Sequence, residues 1–540
     1  MTEKTVARVV IDTLKDLGVK HVFGVPSGGW VDYMEALRTT EGIEFILTTH
    51  EGTAGMMAEV AGRLTGVPGV CFGTYGPGAT NLATGVGEAL LDRSPMIALT
   101  DEMPEAMRGR TTQMGIDHQA LFRPLTKKTT RLRADAVREI LTDAAAVATS
   151  GRPGPVHVGL PTNLSGLAAA DGPAAPQAEQ PPAPDASRLE KAGALIDAAR
   201  KPILAIGLGA VRANVGAKAV ALAEKYQIPV VLTPMAKGVI SEDHPLYAGV
   251  LFHALSDVVG QTHQQADLVI AVGYDPVEFN YESWIPNVPV ISLDIEPADL
   301  DTTNYQLAQD VVGDIGTSLE ALLASAGGAK QWDLDALADR RKAMFDRLAP
   351  GKGGFGPKAA LDVLRSVLPA DGIMTCDVGA HTHLIGQQWR TPAPQLQLMT
   401  NGWSTMGFGI PAAISAKLAC PERVVCGVVG DGGFLMSVGE LATAVRYGVK
   451  VVIVLLTDND LALIRIKQEK KGNPIYGTPI RKTGAVEARN LFGVPVTTAD
   501  TAERFRELLE AAFASEGPAV VEAIVNSREY DEVVLHKDKG

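Results

Sequence analysis

Residues Val424–Gln468 read VVCGVVGDGGFLMSVGELATAVRYGVKVVIVLLTDNDLALIRIKQ. An apolar strand run, Val424–Val429, meets Gly430-Asp431-Gly432-Gly433, and a helical pattern begins at once. Glycines at such a turn let backbone N–H groups approach an anion, and the helix N-terminus adds partial positive charge. Asp431 would repel that anion unless a cation lay between them. Asp458 follows 27 residues later, where a second buried-type strand, Val451–Leu456, ends in Thr457-Asp458-Asn459-Asp460. Adjacent parallel strands would carry Asp431 and Asp458 to one C-terminal sheet edge, where open α/β sheets bind ligands. Two carboxylates and a backbone carbonyl are hard oxygen ligands and suit Mg²⁺ bridging to a diphosphate. The plainer reading is that each aspartate only caps a turn; the second strand end carrying an aspartate weighs against it.

Outward from this stretch, the same alternation of short apolar strands and amphipathic helices recurs. Further strands of this last unit are expected at Gly372–Asp377 and Val520–Val525. In the first part of the chain they fall at His21–Val25, Glu44–Thr48, Val70–Thr74, Met96–Thr100 and Pro155–Val158, with helices near 4–17, 52–65, 79–91 and 134–149. A middle group lies at Pro202–Ile206, Pro229–Leu232, Leu268–Val272 and Val290–Asp294. Such alternation builds parallel sheets covered by helices. The Ala/Pro-rich stretch Gly166–Arg188 reads as a linker, and 328–357, charged and then Gly/Pro-rich, as a second connection. The expected fold is therefore α/β, with three doubly wound parallel-sheet domains at 1–165, 188–328 and 355–530.

The chain of 540 residues is 46% hydrophobic and 21% charged, enough apolar material for several cores. A formal net charge of −13 argues against a general nucleic-acid binder or a protein held to anionic lipid. The four cysteines (Cys71, Cys376, Cys420 and Cys426) form no CxxC pair, so neither a disulfide scaffold nor zinc is expected, and a reducing cytoplasm fits. The opening residues pattern as an amphipathic helix and are not expected to be a signal peptide. The longest purely aliphatic run, Val451–Leu456, is far short of the ~20 residues of a membrane span, so no membrane partner is expected.

The GDG at Gly430–Gly432, with Asp458-Asn459 downstream, resembles the thiamine-diphosphate-binding motif. The resemblance implies Mg²⁺ held by Asp431, Asp458 and the backbone carbonyl of Asp460. The motif has Asn-Asn where this chain has Asp-Asn, a change that carboxylate chemistry tolerates. A thiamine cofactor also needs a carboxyl group against its pyrimidine ring. Thr48–Gly55, TTHEGTAG, resembles the HE-x-x-A-G signature of the acetolactate synthase group, with Glu51 as the matching carboxylate. A lone Glu in a first helical turn is ordinarily just a favourable dipole partner. Other matches are the FGVP loop with Pro26, and the TYGPGATN segment with Thr74, Pro77 and Asn81. DVGAH contributes Gly379 and His381, and NGWSTMGFGIP contributes Ser404 and the wedge Met406. By the same resemblance Gly430, Gly432, Gly433, Leu461 and Ile464 contact the cofactor, and Gln113 and Lys127 join Glu51 as catalytic groups. The site would lie between subunits of a homodimer or homotetramer.

Among thiamine enzymes, Gly273–Trp284 (GYDPVEFNYESW) lacks the arginines of the FAD-bearing branch and resembles the catabolic, flavin-independent acetolactate synthases. FAD is accordingly not expected. The resemblance implies decarboxylation of a 2-oxo acid, most simply pyruvate, with carboligation to an acetolactate-type product. Trp30, Tyr75, Trp403 and the 103–119 loop depart from the family pattern. They keep open a thiamine-dependent decarboxylase, or an acyl transferase of the sulfoacetaldehyde type, acting on a different substrate.

Overall fold

The computed structural model describes residues 4–534 apart from 170–171, 176–179, 253, 279–286, 304, 352 and 481–488. Three sheets follow one another along the chain. The first contains β1 (His21–Gly24), β2 (Glu44–Leu47), β3 (Gly69–Gly73), β4 (Met96–Glu102), β5 (Lys128–Arg131) and β6 (Pro155–Pro161), in the order β2-β1-β3-β4-β6-β5. The second contains β7 (Pro202–Ile206), β8 (Val230–Leu232), β9 (Tyr247–Val250), β10 (Leu268–Val272), β11 (Val290–Asp294) and β12 (Leu307–Val312), in the order β12-β11-β10-β7-β8-β9. The third contains β13 (Ile373–Cys376), β14 (Gln397–Met399), β15 (Val425–Gly430), β16 (Val452–Thr457), β17 (Asn490–Leu491), β18 (Val494–Ala499) and β19 (Ala519–Ile524), in the order β14-β13-β15-β16-β19-β18-β17. Every pairing is parallel except that of the two-residue β17 with β18. The α/β architecture is that expected of alternating strand and helix patterns.

Each sheet has a central point where the chain, having wound out to one side, crosses back to the other, and such switch points are where open α/β sheets bind ligands. They lie between β1 and β3, between β7 and β10, and between β13 and β15. In the third sheet β15 and β16 are paired with Gly430 opposite Leu456, so Asp431 and Asp458 do leave the sheet at one edge.

Strands read from apolar runs are present. Those missed, β5, β9, β12, β14, β17 and β18, lie at or next to a sheet edge. An edge strand is buried on fewer sides, so its sequence need not be continuously apolar. Lys128–Arg131 (KTTR) and Leu307–Val312 (LAQDVV) are mostly half-buried and polar. One reading is corrected: the stretch 328–357 is not only a connection. It contains the helix Leu334–Leu348, capped by Asp333 and buried only through Leu337, Met344 and Leu348. So narrow an apolar stripe in a charged sequence hides the helical period.

The first and third units share an apolar core. Ala54 and Met57 of the helix Glu51–Thr65 belong to one buried cluster with Ile410, Ala413 and Ile414 of the helix Gly409–Ala419. Ser415 Oγ donates to the Met57 carbonyl at 2.6 Å, and Arg63 to the Met399 carbonyl at 2.8 Å. Among the described residues no helix is long and apolar enough to cross a membrane.

Candidate active site

At the switch point of the third sheet a cavity of about 120 Å³ opens. Gly379, His381, Met406, Gly430–Gly433, Asp458, Asp460, Leu461 and Ile464 line it. The residues expected from the third unit thus gather at one place, apart from Ser404. That residue sits exposed in the preceding turn at φ 56°, its hydroxyl given to the Asn401 carbonyl at 3.0 Å.

Asp431 begins the helix Asp431–Ser437 and is almost fully buried. Its carboxylate accepts from its neighbour Gly432 N–H at 3.0 Å and from Asn459 N–H at 2.6 Å. Asn459 reaches it by adopting φ 61°, a left-handed conformation that asparagine tolerates better than most residues. Asp458 accepts from the Asp460 N–H at 3.1 Å. Burial, and next the Asp431 carboxylate, push Asp458 up to about 7. Two carboxylates crowded in this way are what a divalent cation would relieve.

The surrounding shell fits a diphosphate. His381 Nε2 is buried with no hydrogen-bond partner among the described residues, and burial pushes the imidazole down to about 4. A Cβ at Gly433 would stand 2.6 Å from Asp377 Oδ1, so no larger residue fits against that carboxylate. Asp377 in turn accepts from the N–H groups of Val378 (2.6 Å), Gly407 (3.0 Å) and Gly409 (2.9 Å). It thereby ties the Gly379 turn to the loop carrying Met406. Burial pushes Asp377 up to about 6. Met406 Cε lies 3.1 Å from where a Gly432 Cβ would be, which sets the thioether against the glycine turn.

The other expected groups collect at the switch point of the first sheet. Glu51 starts the helix Glu51–Thr65, and its Oε2 accepts from Asn81 Nδ2 at 3.0 Å. A Cβ at Gly78 would lie 2.8 Å from Thr74 Cγ2 and 3.3 Å from Glu51 Oε1, so Thr74, Gly78, Asn81 and Glu51 form one cluster. Pro26 and Pro77 are exposed beside it, at the ends of β1 and β3. Gln113 is exposed on the loop whose Met114 carbonyl abuts Gly76. The structure does not bring Lys127 to this cluster: its ammonium is held by the Ser150 and Arg152 carbonyls, at 2.5 and 3.0 Å.

Four residues of these two regions went unread as site groups. Asp377 stood inside the DVGAH motif but points at backbone, not at ligand. Tyr530 reaches the cavity wall from a helical turn near the chain's end, with no local signal. Asp101, at the end of β4, is fully buried between the Ser27 and Thr74 hydroxyls, and burial pushes it up to about 6. Glu440, from the third unit, accepts from Thr49 N–H (2.9 Å), Thr49 Oγ1 (2.5 Å) and Thr53 Oγ1 (2.6 Å), pinning the start of the Glu51 helix.

A carboxylate pair at neighbouring strand ends, a glycine turn and a histidine with a spare nitrogen form the donor set that a diphosphate bridged by a divalent cation requires. Residues 4–121, 189–322 and 377–523 match the thiamine pyrophosphate enzyme N-terminal TPP binding, central and C-terminal TPP binding domains, respectively. The probable acetolactate synthase large subunit of Methanocaldococcus jannaschii is 31% identical over 97% of this chain and 92% of its own length. The acetolactate synthase of Bacillus subtilis is 31% identical over 99% and 95%. The acetolactate synthase isozyme 1 large subunit of Escherichia coli is 32% identical over 86% and 83%. The chain belongs to the acetolactate synthase family of thiamine-diphosphate enzymes, and thiamine diphosphate is its cofactor.

Proposed function

We propose that this chain decarboxylates pyruvate and joins the remaining two-carbon unit to a second 2-oxo acid, giving an acetolactate-type product. The full-length relatives named acetolactate synthase support the reaction. The observation that carries it here is the acid pair Asp431 and Asp458 at one sheet edge, with the buried Glu51 carboxylate at another. Thiamine diphosphate, when bound, would supply a carbon nucleophile and an electron sink for loss of CO₂.

The chain's own residues prepare that chemistry. Asp431, Asp458 and the Asp460 carbonyl would hold Mg²⁺, and the amides of the Gly430–Gly433 turn and His381 would take the diphosphate. Met406 would wedge the cofactor, and Leu461, packed beside it at Gly432, would contact it. Glu51, steered by Asn81, exchanges a proton with the pyrimidine ring. All lining residues of the cavity lie between 378 and 530, so it contains no residue of the Glu51 cluster. This supports a site completed by Glu51 of a second copy, in a homodimer or homotetramer. Mixing inactive Glu51→Gln with inactive Asp431→Ala subunits should restore part of the activity through hybrid sites. No recovery despite proven subunit exchange would defeat the shared site.

FAD is not required in this reading. In the cavity at the β7/β10 switch point, Arg93 is taken by Asp275 at 2.7 Å and Arg152 by Asp294 at 3.4 Å. Residues 279–284 of the segment that motivated the expectation lie outside the described residues. A purified protein that is yellow and loses activity when its flavin is stripped would overturn it.

One observation favours a second reading of the substrate. Tyr75 and the 103–119 loop wall a cavity of about 590 Å³ that contains Arg108, Arg110 and Arg131. Arg131 is taken by Glu102 and Glu105, each at 2.6 Å, and Arg108 by Glu105 at 3.3 Å, so Arg110 is the cation that would meet a 2-oxo acid or aldehyde with an additional anionic group. Assay of CO₂ release across 2-oxo acids, with product identification, decides: turnover of pyruvate to acetolactate above all others supports the first reading. Preference for a sulfonated or dicarboxylic substrate supports the second.

A further inference from the structure

Below the Gly76–Gly78 turn lies a buried group that the reaction above does not use. Glu102, His118 and His157 bring a carboxylate oxygen and two imidazole nitrogens within 4.8 Å of one another. That is a metal-ligand set by type, but its atoms are already engaged. The Thr100 hydroxyl stands between the imidazoles, 2.9 Å from His118 Nδ1 and 2.8 Å from His157 Nε2. Glu102 is ion-paired with Arg131 at 2.6 Å. The group is a chain of hydrogen bonds.

Its direction follows from what each atom can give. A backbone N–H only donates, and Gly76 N–H points at His118 Nε2 at 3.3 Å. That nitrogen is therefore bare, and His118 carries its proton on Nδ1, donating to Thr100 Oγ1. Thr100 then gives its single proton to His157 Nε2, which leaves the His157 proton on Nδ1. From there it goes to Thr129 Oγ1 at 2.7 Å, and Thr129 donates to Gln119 Oε1 at 2.8 Å. The Gln119 amide N–H groups reach Glu102 at 2.5 Å and the Thr130 carbonyl at 3.0 Å. Read from the other end, Glu102 and the Thr130 carbonyl only accept, which turns the amide the same way and dictates the same order of protons. Sheet order assembles the chain: β4 supplies Thr100 and Glu102, its neighbour β6 supplies His157, and β5 supplies Thr129. Burial of both rings favours their neutral forms: His118 is pushed down to about 4, and His157 is also held well below the ordinary imidazole range.

The near end of the chain bears on Glu51. Gly76 has φ 46° and ψ −98°, and a Cβ there would stand 2.8 Å from the Met114 carbonyl oxygen. Only glycine fits this turn, which packs directly against the Met114 carbonyl and takes the His118 contact from its other neighbour. It opens the helix Pro77–Leu91, whose Gly78 backs onto the Glu51 carboxylate and whose Asn81 donates to it. We propose that His118 is a positioning residue for Glu51. Its bare Nε2 fixes the Gly76 turn, and the Thr100–His157–Thr129–Gln119 chain behind it dictates which ring nitrogen is bare.

This rests on the proton-exchange role proposed for Glu51, and the experiment separates the two. In ¹⁵N-histidine-labelled protein without cofactor, ring shifts should show His118 with a protonated Nδ1 and a bare Nε2. Thr129→Val, which cuts the far end, should shift His118 toward a mixture of tautomers. With thiamine diphosphate and Mg²⁺ bound, proton–deuterium exchange at the thiazolium carbon should fall about tenfold or more in His118→Phe. His118→Gln, whose amide oxygen can accept from Gly76 N–H, should recover most of it, and cofactor affinity should stay within a few-fold in both. A bare Nδ1 on His118 overturns the proposal whatever Glu51 does. So does unchanged exchange in His118→Phe when Glu51→Gln is slowed. Unchanged exchange in Glu51→Gln itself would instead remove the role of Glu51. If His118→Phe fails to fold, the tautomer shift in Thr129→Val decides, and its absence counts against the chain.

Discussion

The two switch points that build the site are made in opposite ways. At the third sheet the cavity is lined by its own unit, with ligands brought together by adjacent strands β15 and β16 and by loops tied to Asp377. At the first sheet the key group is a single carboxylate, and much of its support comes from elsewhere: Asn81, Gly78 and, from the third unit, Glu440. A binding site for a charged group can be assembled locally, because backbone amides and acids near one sheet edge suffice. A proton-exchanging group needs an orientation, and orientation is set by neighbours on several elements.

The largest effect expected from breaking this contrast is at the lone carboxylate. Glu51→Gln keeps the size and a hydrogen bond to Asn81 but removes the proton-accepting charge. General acid–base contributions are typically ~10²–10⁴-fold, so turnover should fall by about that much. Cofactor affinity, measured by titration calorimetry, should change only a few-fold. Equal losses in both would mean that the first-sheet edge binds rather than exchanges protons.

Asp458→Ala should show the reverse pattern. Loss of one acidic ligand should weaken Mg²⁺-dependent retention of thiamine diphosphate by ~10²-fold or more, against 10–100-fold for outer-shell changes at metal sites. The melting temperature of the cofactor-free protein should not fall, since the crowding of Asp431 and Asp458 is relieved. Retention equal to the parent's would refute Asp458 as a ligand.

The smallest effect is a pH dependence confined to the third-sheet edge. Asp458 stands at about 7 in the folded, metal-free protein, against ~3.9 when unfolded. Between those values the folded state binds more protons, so stability should decline as pH rises from about 4 to 7, by at most ~4 kcal/mol from this group. Denaturant unfolding in EDTA should show the decline. Asp458→Asn should flatten part of it, and Mg²⁺ with thiamine diphosphate should oppose it. Asp377, raised to about 6, contributes with the same sign and persists in the variant. An Asp458→Asn slope identical to the parent's would mean that burial and Asp431 do not hold Asp458 above its ordinary range.

Much of the third-sheet edge was legible in the chain. Gly430–Gly433 and Asp458–Asp460 each follow an apolar strand, and parallel pairing of successive strands brings their ends together. The supporting groups were not legible in the same way. Asp377 was quoted for its motif, but its three backbone partners lie up to 32 residues away. Glu440 lies 391 residues from Thr49, and nothing local marks either as a partner. Lys127 matched a motif as a catalytic group, yet its ammonium is held by the Ser150 and Arg152 carbonyls.

By itself the sequence determined the α/β class, the strands at the centre of each sheet and the residue types able to hold a metal-bridged diphosphate. Each rests on a local pattern: buried strands are apolar, glycine turns admit anions and carboxylates bind hard cations. Only the tertiary structure decided which strands form the edges, that a helix interrupts 328–357, that Glu440 meets Thr49 and Thr53 at the start of the Glu51 helix, and that the Gly76 N–H meets His118. Those outcomes depend on contacts between residues far apart in the chain. A hydrogen bond is decided by where two atoms meet and which carries the proton, and neither is written in the residues that flank them.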